Sequence, residues 1–361
     1  MRRIIAGLSL LALTLTTFHA HAAEWGLKPG TPKLQSAGPL AFGPDGILLV
    51  GDNTAATIFA IATDDEAQPV AKVHYQIDDV AGQISKALKS SGSTTIKDMA
   101  VNPDSGNVYF SVVSDGEPSI VRLTTAGKFQ AMDLANVKFL KAELRDAPSP
   151  DAAGRRGRKP RDSSITDIAY VDGRVIVSGL SSGKAPSAIR ELVFPFQAKD
   201  HGASVEIYHG AHGKFEDYSP VQTFVPFNIG GKPSLLAGYI CTPLVRFPLD
   251  QLQASEKVRG TTVAELGNRN RPLDMIVYKQ DGKDYLLLSN SARGVMKIST
   301  ENIAQNKGIT SRVSGGGTAG QEYETIKRME GVVQLDKLDD SRAVVVTQTD
   351  GGLALESVAL P

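Results

Sequence analysis

The chain has 361 residues, with 39 Lys plus Arg against 39 Asp plus Glu, a formal net charge of zero, and one cysteine. Balanced charge argues against a dedicated nucleic-acid binder, and a single cysteine excludes an intrachain disulfide or a Cys-rich metal module. The 35 glycines exceed the usual share of about 7% and favour a fold with many tight turns.

In chain order, Arg2 and Arg3 precede a short apolar run, and Ala20-His21-Ala22 offers the small residues a signal peptidase reads. This predicts a secretory signal over 1–22 and a mature protein over 23–361, with a membrane anchor as the alternative. Loss of Arg2 and Arg3 would turn the zero charge slightly negative, and export places the protein in a periplasm or outside the cell. No later stretch is apolar for the ~18 residues of a membrane span. A monomer is expected, with a small molecule or a protein as partner and no nucleic acid.

Residues 40–50 then read strand, turn, strand around Pro44-Asp45-Gly46, in which Pro presets φ and Gly takes a positive φ. Similar units recur. With Leu40, Met99, Ile168, Val225, Met275 and Val332 as equivalents the spacing is 59, 69, 57, 50 and 57 residues, the scale of one propeller blade with its loops. Third strands are expected at 57–61, 119–123, 188–193, 244–247, 295–298 and 353–358, and outer strands at 70–75 and 204–208. The last unit has room for three strands only. The reading is therefore an all-β, six-bladed β-propeller closed by an N-terminal strand, within 27–36, that joins the last blade. Packed sandwiches or a seven-bladed ring are the alternatives.

Between the units, residues 79–90 have helical spacing, with Val80, Ile84 and Leu88 on one face. Residues 146–162 form a Pro/Gly-rich loop carrying Arg155, Arg156, Arg158, Lys159 and Arg161, read as solvated and flexible.

Residues 40–52 (LAFGPDGILLVGD) and the unit at 99–110 resemble NHL-type and SMP-30/gluconolactonase-like propeller repeats. The resemblance implies the fold. For the SMP-30 type it also implies a catalytic divalent ion held by a Glu and Asn/Asp residues on inner strands. This chain has Gly38-Pro39 where that Glu is expected, and Asp98, Asp167 and Asp274 match only the carboxylate part of the pattern.

Those three aspartates stand just before the first apolar residue of three inner strands, so the repeat directs them to one channel mouth, with Glu330 nearby. Such a ring calls for a cation such as Ca²⁺, a basic ligand or hydrogen bonds, the alternative being that each Asp caps a turn inside its own blade through backbone N–H groups. A second candidate is His209-Gly210-Ala211-His212, a His-x-x-His loop followed by Glu216 and Asp217, which suits Zn or Cu. It is expected on the same face as the aspartates. Cys241, at the end of a second strand, is a soft metal ligand, a nucleophile or a buried inert thiol, and nearness to the histidines would favour the first. Asp52, Arg271, Asn290 and Arg293 fall in loops of that face and are candidate ligand contacts, or turn formers. No nucleophile elbow, zinc-protease helix, phosphate loop or haem motif occurs. The readings are an exported propeller that binds a small ligand, a metal ion or a protein, or a metal-dependent hydrolase of the lactonase type.

Overall fold

The computed structural model describes residues 25–154, 157–197, 200–241, 243–252 and 257–361. The segment 1–22, expected to be a signal, and Arg155 and Arg156 of the basic loop lie outside these residues. The fold is all-β, with six sheets arranged around a channel. No helix among the described residues is long and apolar enough to cross a membrane.

Local chemistry explains the hairpins. Asp115-Gly116, Asp172-Gly173 and Asp281-Gly282 each take a positive φ at both residues. Each closes a two-residue turn, with Ser114 paired to Glu117, Val171 to Arg174 and Gln280 to Lys283. These are the mirror-image turns whose twist matches antiparallel strands, and Asp-Gly tolerates both left-handed positions. The middle strands are apolar on both sides: Ile47–Asp52 and Thr57–Ala62 are buried throughout, because each blade is sandwiched between two others. The predicted helix is present at Val80–Leu88. Asp79 caps it by accepting the Gly82 N–H, and Val80 and Ile84 are buried in the layer between the second and sixth blades.

The ring does not follow chain order. The inner strand Leu40–Phe42 lies between Thr94–Val101 and Asp167–Val171, while Val332–Lys337 lies between Pro272–Gln280 and Thr94–Val101. Numbered along the chain, the blades therefore run second, first, third, fourth, fifth, sixth around the channel. The crossovers explain this. After Thr57–Ala62 the chain leaves the first blade, and Gln76–Ile77 pairs with Gly352–Ala359 as the outer strand of the sixth. The chain next builds the second blade, and Val137–Glu143 then returns to complete the first by pairing with Thr57–Ala62.

Two expectations change accordingly. The N-terminal strand, Lys28–Gly30, does not join the last blade: it pairs outside Val137–Glu143 on the first. The three-stranded last blade does borrow a strand, but from Gln76–Ile77. Residues 70–75 are not an outer strand of the first blade, because Val73 and Tyr75 bury their side chains between the second and sixth blades. The Tyr75 hydroxyl donates to the Gly106 carbonyl at 2.6 Å. The basic loop is tied at both ends. Arg190 meets the Asp146 carboxylate at 2.7 Å, and the Arg161 guanidinium donates to the carbonyls of Thr54 and Pro148.

Candidate functional site

Two polar regions stand out, one in the channel and one at the rim. In the channel, Asp98, Asp167 and Asp274 lie between a cavity of about 630 Å³ on the side where the inner strands begin and one of about 640 Å³ on the side where they end. Each carboxylate is committed to the adjacent blade. Asp98 Oδ2 accepts the Leu40 N–H at 2.6 Å, Asp167 Oδ2 the Phe224 N–H at 2.7 Å, and Asp274 Oδ2 the Leu335 N–H at 2.9 Å. The residues just before those three N–H groups are Pro39, Thr223 and Gln334. Carboxylates therefore alternate with other residues around the ring and stitch the blades in pairs, second to first, third to fourth and fifth to sixth.

Asp336 makes a fourth stitch, from the sixth blade to the second: it accepts the Val101 N–H at 2.7 Å and its own neighbour's, Lys337, at 2.7 Å. The sequence reading passed over Asp336 because it aligned Val332 with Leu40. Leu335 receives the stitch as Leu40 does, and the strand carries a register shift between Val332 and Gln334. Glu330, the expected neighbour, is exposed beyond a short 3-10 turn.

Burial pushes these carboxyls up, against their backbone hydrogen bonds. Asp167 rises to about 7 and Asp336 to about 6. Asp98 and Asp274 also rise, through burial and the charges of the other channel carboxylates. A ring that protonates easily and already accepts N–H bonds is bound into the scaffold.

The rim region is built differently. The outer strand Asp200–His209 of the third blade extends past its partner and turns at Gly210–Gly213 into Lys214–Glu216. This hairpin brings His209, His212 and Glu216 together, with donor atoms within 4.8 Å of one another, the only such trio among the described residues. Glu216 Oε2 contacts His209 Nδ1 at 2.9 Å, and Oε1 contacts His212 Nδ1 at 2.7 Å. The two rings lie 3.8 Å apart, tilted by 38°. Burial alone would raise the Glu216 carboxyl, but hydrogen bonds from His209, His212 and Tyr218 bring it down to about 2. With Glu216 ionised, both Nδ1 atoms are donors, and in a neutral imidazole the lone pair then sits on Nε2.

His209 is buried and its Nε2 has no hydrogen-bond partner. Glu265 of the fourth blade reaches the same loop. Its Oε1 accepts the Gly210 N–H at 2.5 Å, while its buried Oε2 has no partner. Burial raises the Glu265 carboxyl. Gly210 is required here, since a Cβ would stand 2.9 Å from Glu265 Cγ and Oε1. These two unsatisfied buried polar atoms lie beside one loop, and each leaves hydrogen-bonding capacity unmet.

The remaining predicted residues separate from this cluster. By register, Asp167 pairs with Ser178, and Ser204 with Ala188 on the way to His209, so the channel aspartates and the histidines share an end of the disk but differ in radius. Cys241 does not join the trio. It sits in the turn after Lys232–Gly238 with φ 64, its N–H donating to the Asn270 carbonyl. That turn belongs to the middle of the fourth blade, whereas His209 lies on the outer edge of the third.

Asp52 is fully buried and accepts bonds from the Gln35, Ser36 and Ala55 N–H groups and the Ser36 hydroxyl. Asn290 bonds Asn270 and the Ala292 N–H. Arg293 donates to the carbonyls of Leu266 and Asn268. Of these four candidates only Arg271 lines a channel cavity. Glu265, which sequence reasoning missed, lies within the strand Thr261–Leu266 of the fourth blade and carries no local motif.

No protein-family model matches the chain, and no curated protein matches it. Among solved structures it is similar to the PQQ-bound form of an aldose sugar dehydrogenase from Streptomyces coelicolor, at 14% identity over 92% of this chain and 96% of that one, TM-score 0.32. It is also similar to a putative oxidoreductase (glucose dehydrogenase) from Thermus thermophilus, at 13% identity over 92% and 100%, TM-score 0.37. A chain of a mitotic checkpoint complex aligns at 10% identity over 98% and 99%, TM-score 0.39. Likeness at this level assigns no activity to this chain.

Proposed function

We propose that this protein is an exported β-propeller that binds a divalent transition metal ion at its rim, between the third and fourth blades. The observation that carries the reading is the buried, partnerless Nε2 of His209 beside His212, with Glu216 holding both rings through Nδ1. A carboxylate that fixes the tautomer of ligating histidines is a recurrent outer partner in metal sites. His209 and His212 are the nitrogen ligands, and Glu216 orients them and balances charge. Imidazole donors suit Zn²⁺ or Cu²⁺ and disfavour Ca²⁺, which takes oxygen ligands. The export rests on residues 1–22 alone.

The lactonase-type alternative needs an ion on the channel carboxylates. Asp98, Asp167 and Asp274 each hold a neighbouring N–H, which supports that reading less well.

The test is titration of metal-free mature protein with Zn²⁺, read by calorimetry and thermal unfolding. One ion per chain is expected, lost in His209→Ala, weakened about 10- to 100-fold in Glu216→Gln and unchanged in Asp274→Asn. No binding, or binding lost in Asp274→Asn and kept in His209→Ala, overturns the proposal.

A further inference from the structure

Beside the histidine loop lies a second feature that the metal reading does not use. A cavity of about 510 Å³ is lined by Ala211 of that loop, by Asn268 and Arg269, and by Arg312 through Gly316. Among the described residues neither the Arg269 nor the Arg312 guanidinium has a hydrogen-bond or ion-pair partner, whereas the neighbouring Arg293 is engaged with the carbonyls of Leu266 and Asn268. Among the described residues no carboxylate lines the cavity.

The walls are held in place. The Val313 N–H donates to the Gly210 carbonyl at 2.9 Å. The aliphatic part of Arg312 lies over Gly213, where a Cβ would stand 3.1 Å from Arg312 Cβ and Cγ. On the opposite wall a Cβ on Gly316 would meet Asn268 Oδ1 at 2.6 Å. Arg269 sits at φ 57 in the loop entering the fifth blade. Segments from three blades therefore bring Arg269 and Arg312, both exposed, to the lining of one concavity. Two cationic residues around a cavity that no described carboxylate lines are complementary to an anion, and guanidinium forks match oxyanions in geometry.

We infer that this cavity is a binding site for a compact oxyanion, a phosphoryl or carboxylate group, held by Arg269 and Arg312 next to the exposed His212. The site extends the metal reading by naming the ligand chemistry that would lie beside the ion, but anion binding itself requires no metal.

The experiment uses metal-free mature protein titrated with inorganic phosphate or succinate at constant ionic strength, read by calorimetry and thermal unfolding against sodium chloride. Saturable phosphate binding is expected, weakened at least about 10-fold in Arg269→Ala/Arg312→Ala and partly retained in the double Lys variant, because Lys keeps the charge but loses the fork. Zn²⁺ affinity of the same variants is measured in parallel, so failure of the metal site is scored separately. Binding of phosphate alone points to a phosphoryl ligand, and binding of succinate as well extends the class to carboxylates. No saturable binding of either anion, or equal binding by wild type and the double Ala variant, overturns the inference.

Discussion

The channel and the rim both gather carboxylates, yet they differ in what those carboxylates hold. In the channel, four aspartates accept backbone N–H groups across blade boundaries, and three of them do so at repeated positions. At the rim, two imidazoles share one glutamate, and a buried nitrogen and a buried carboxylate oxygen are left without partners. Repetition around a ring serves the ring, because the same joint recurs at three blade pairs and Asp336 adds one from the sixth blade to the second. The rim constellation occurs once among the described residues and repeats no joint between blades, which is the contrast the metal proposal rests on.

The sharpest way to break this contrast is to remove a stitch. Asp167→Ala leaves the Phe224 and Ile168 N–H groups without their acceptor and should cost about 1–3 kcal/mol, lowering the urea midpoint, whereas Asp167→Asn keeps an acceptor and costs less. An Ala variant as stable as wild type would remove the structural assignment of the ring.

The pH dependence separates the two regions by sign. A channel aspartate is raised in the folded state, so its contribution is fully present below its unfolded value near 4 and is lost as pH rises through the folded value, about 7 for Asp167. Wild type should therefore lose stability between about pH 4 and pH 7 on this account, by on the order of 1 kcal/mol or more per group, and Asp167→Asn should flatten that slope. Glu216 is depressed to about 2, so its contribution is present above its unfolded value near 4.5 and lost as pH falls through the folded one. Glu216→Gln should flatten the acid limb and leave the other unchanged. Chemical unfolding across pH 2 to 8 measures both limbs, and a common slope change in the two variants would merge the regions again.

The smallest effect is expected at His212. It is exposed, so His212→Ala should change metal-free stability by no more than about 0.5 kcal/mol while lowering the thermal shift produced by Zn²⁺. A large loss of stability without metal would make the loop a structural element rather than a binding one.

Much of this molecule is legible in its residues one unit at a time. The Asp-Gly turns, the runs of apolar strand residues and the capped helix over Val80–Leu88 are local, since φ preferences and side-chain alternation act within a few positions. Repeat alignment alone brought Asp98, Asp167 and Asp274 to one level of the channel, although Asp98 and Asp274 lie within their strands rather than before them, and local spacing alone put His209, His212 and Glu216 near one another. Asp336 was hidden by a register shift that no composition signals.

Tertiary structure alone decided which edges pair. It sent Gln76–Ile77 to the sixth blade, returned Val137–Glu143 to the first and so exchanged the order of two blades. It also separated Cys241 from the histidines, brought Glu265 of one blade to Gly210 of another, and set Arg269 and Arg312 around one cavity. The reason is physical. Strand and turn are specified by short-range sterics and by which face is apolar, whereas an open strand edge offers the same N–H and C=O groups to any partner. Only the burial of Val73, Tyr75 and Ile84 between particular blades selects one pairing over the others.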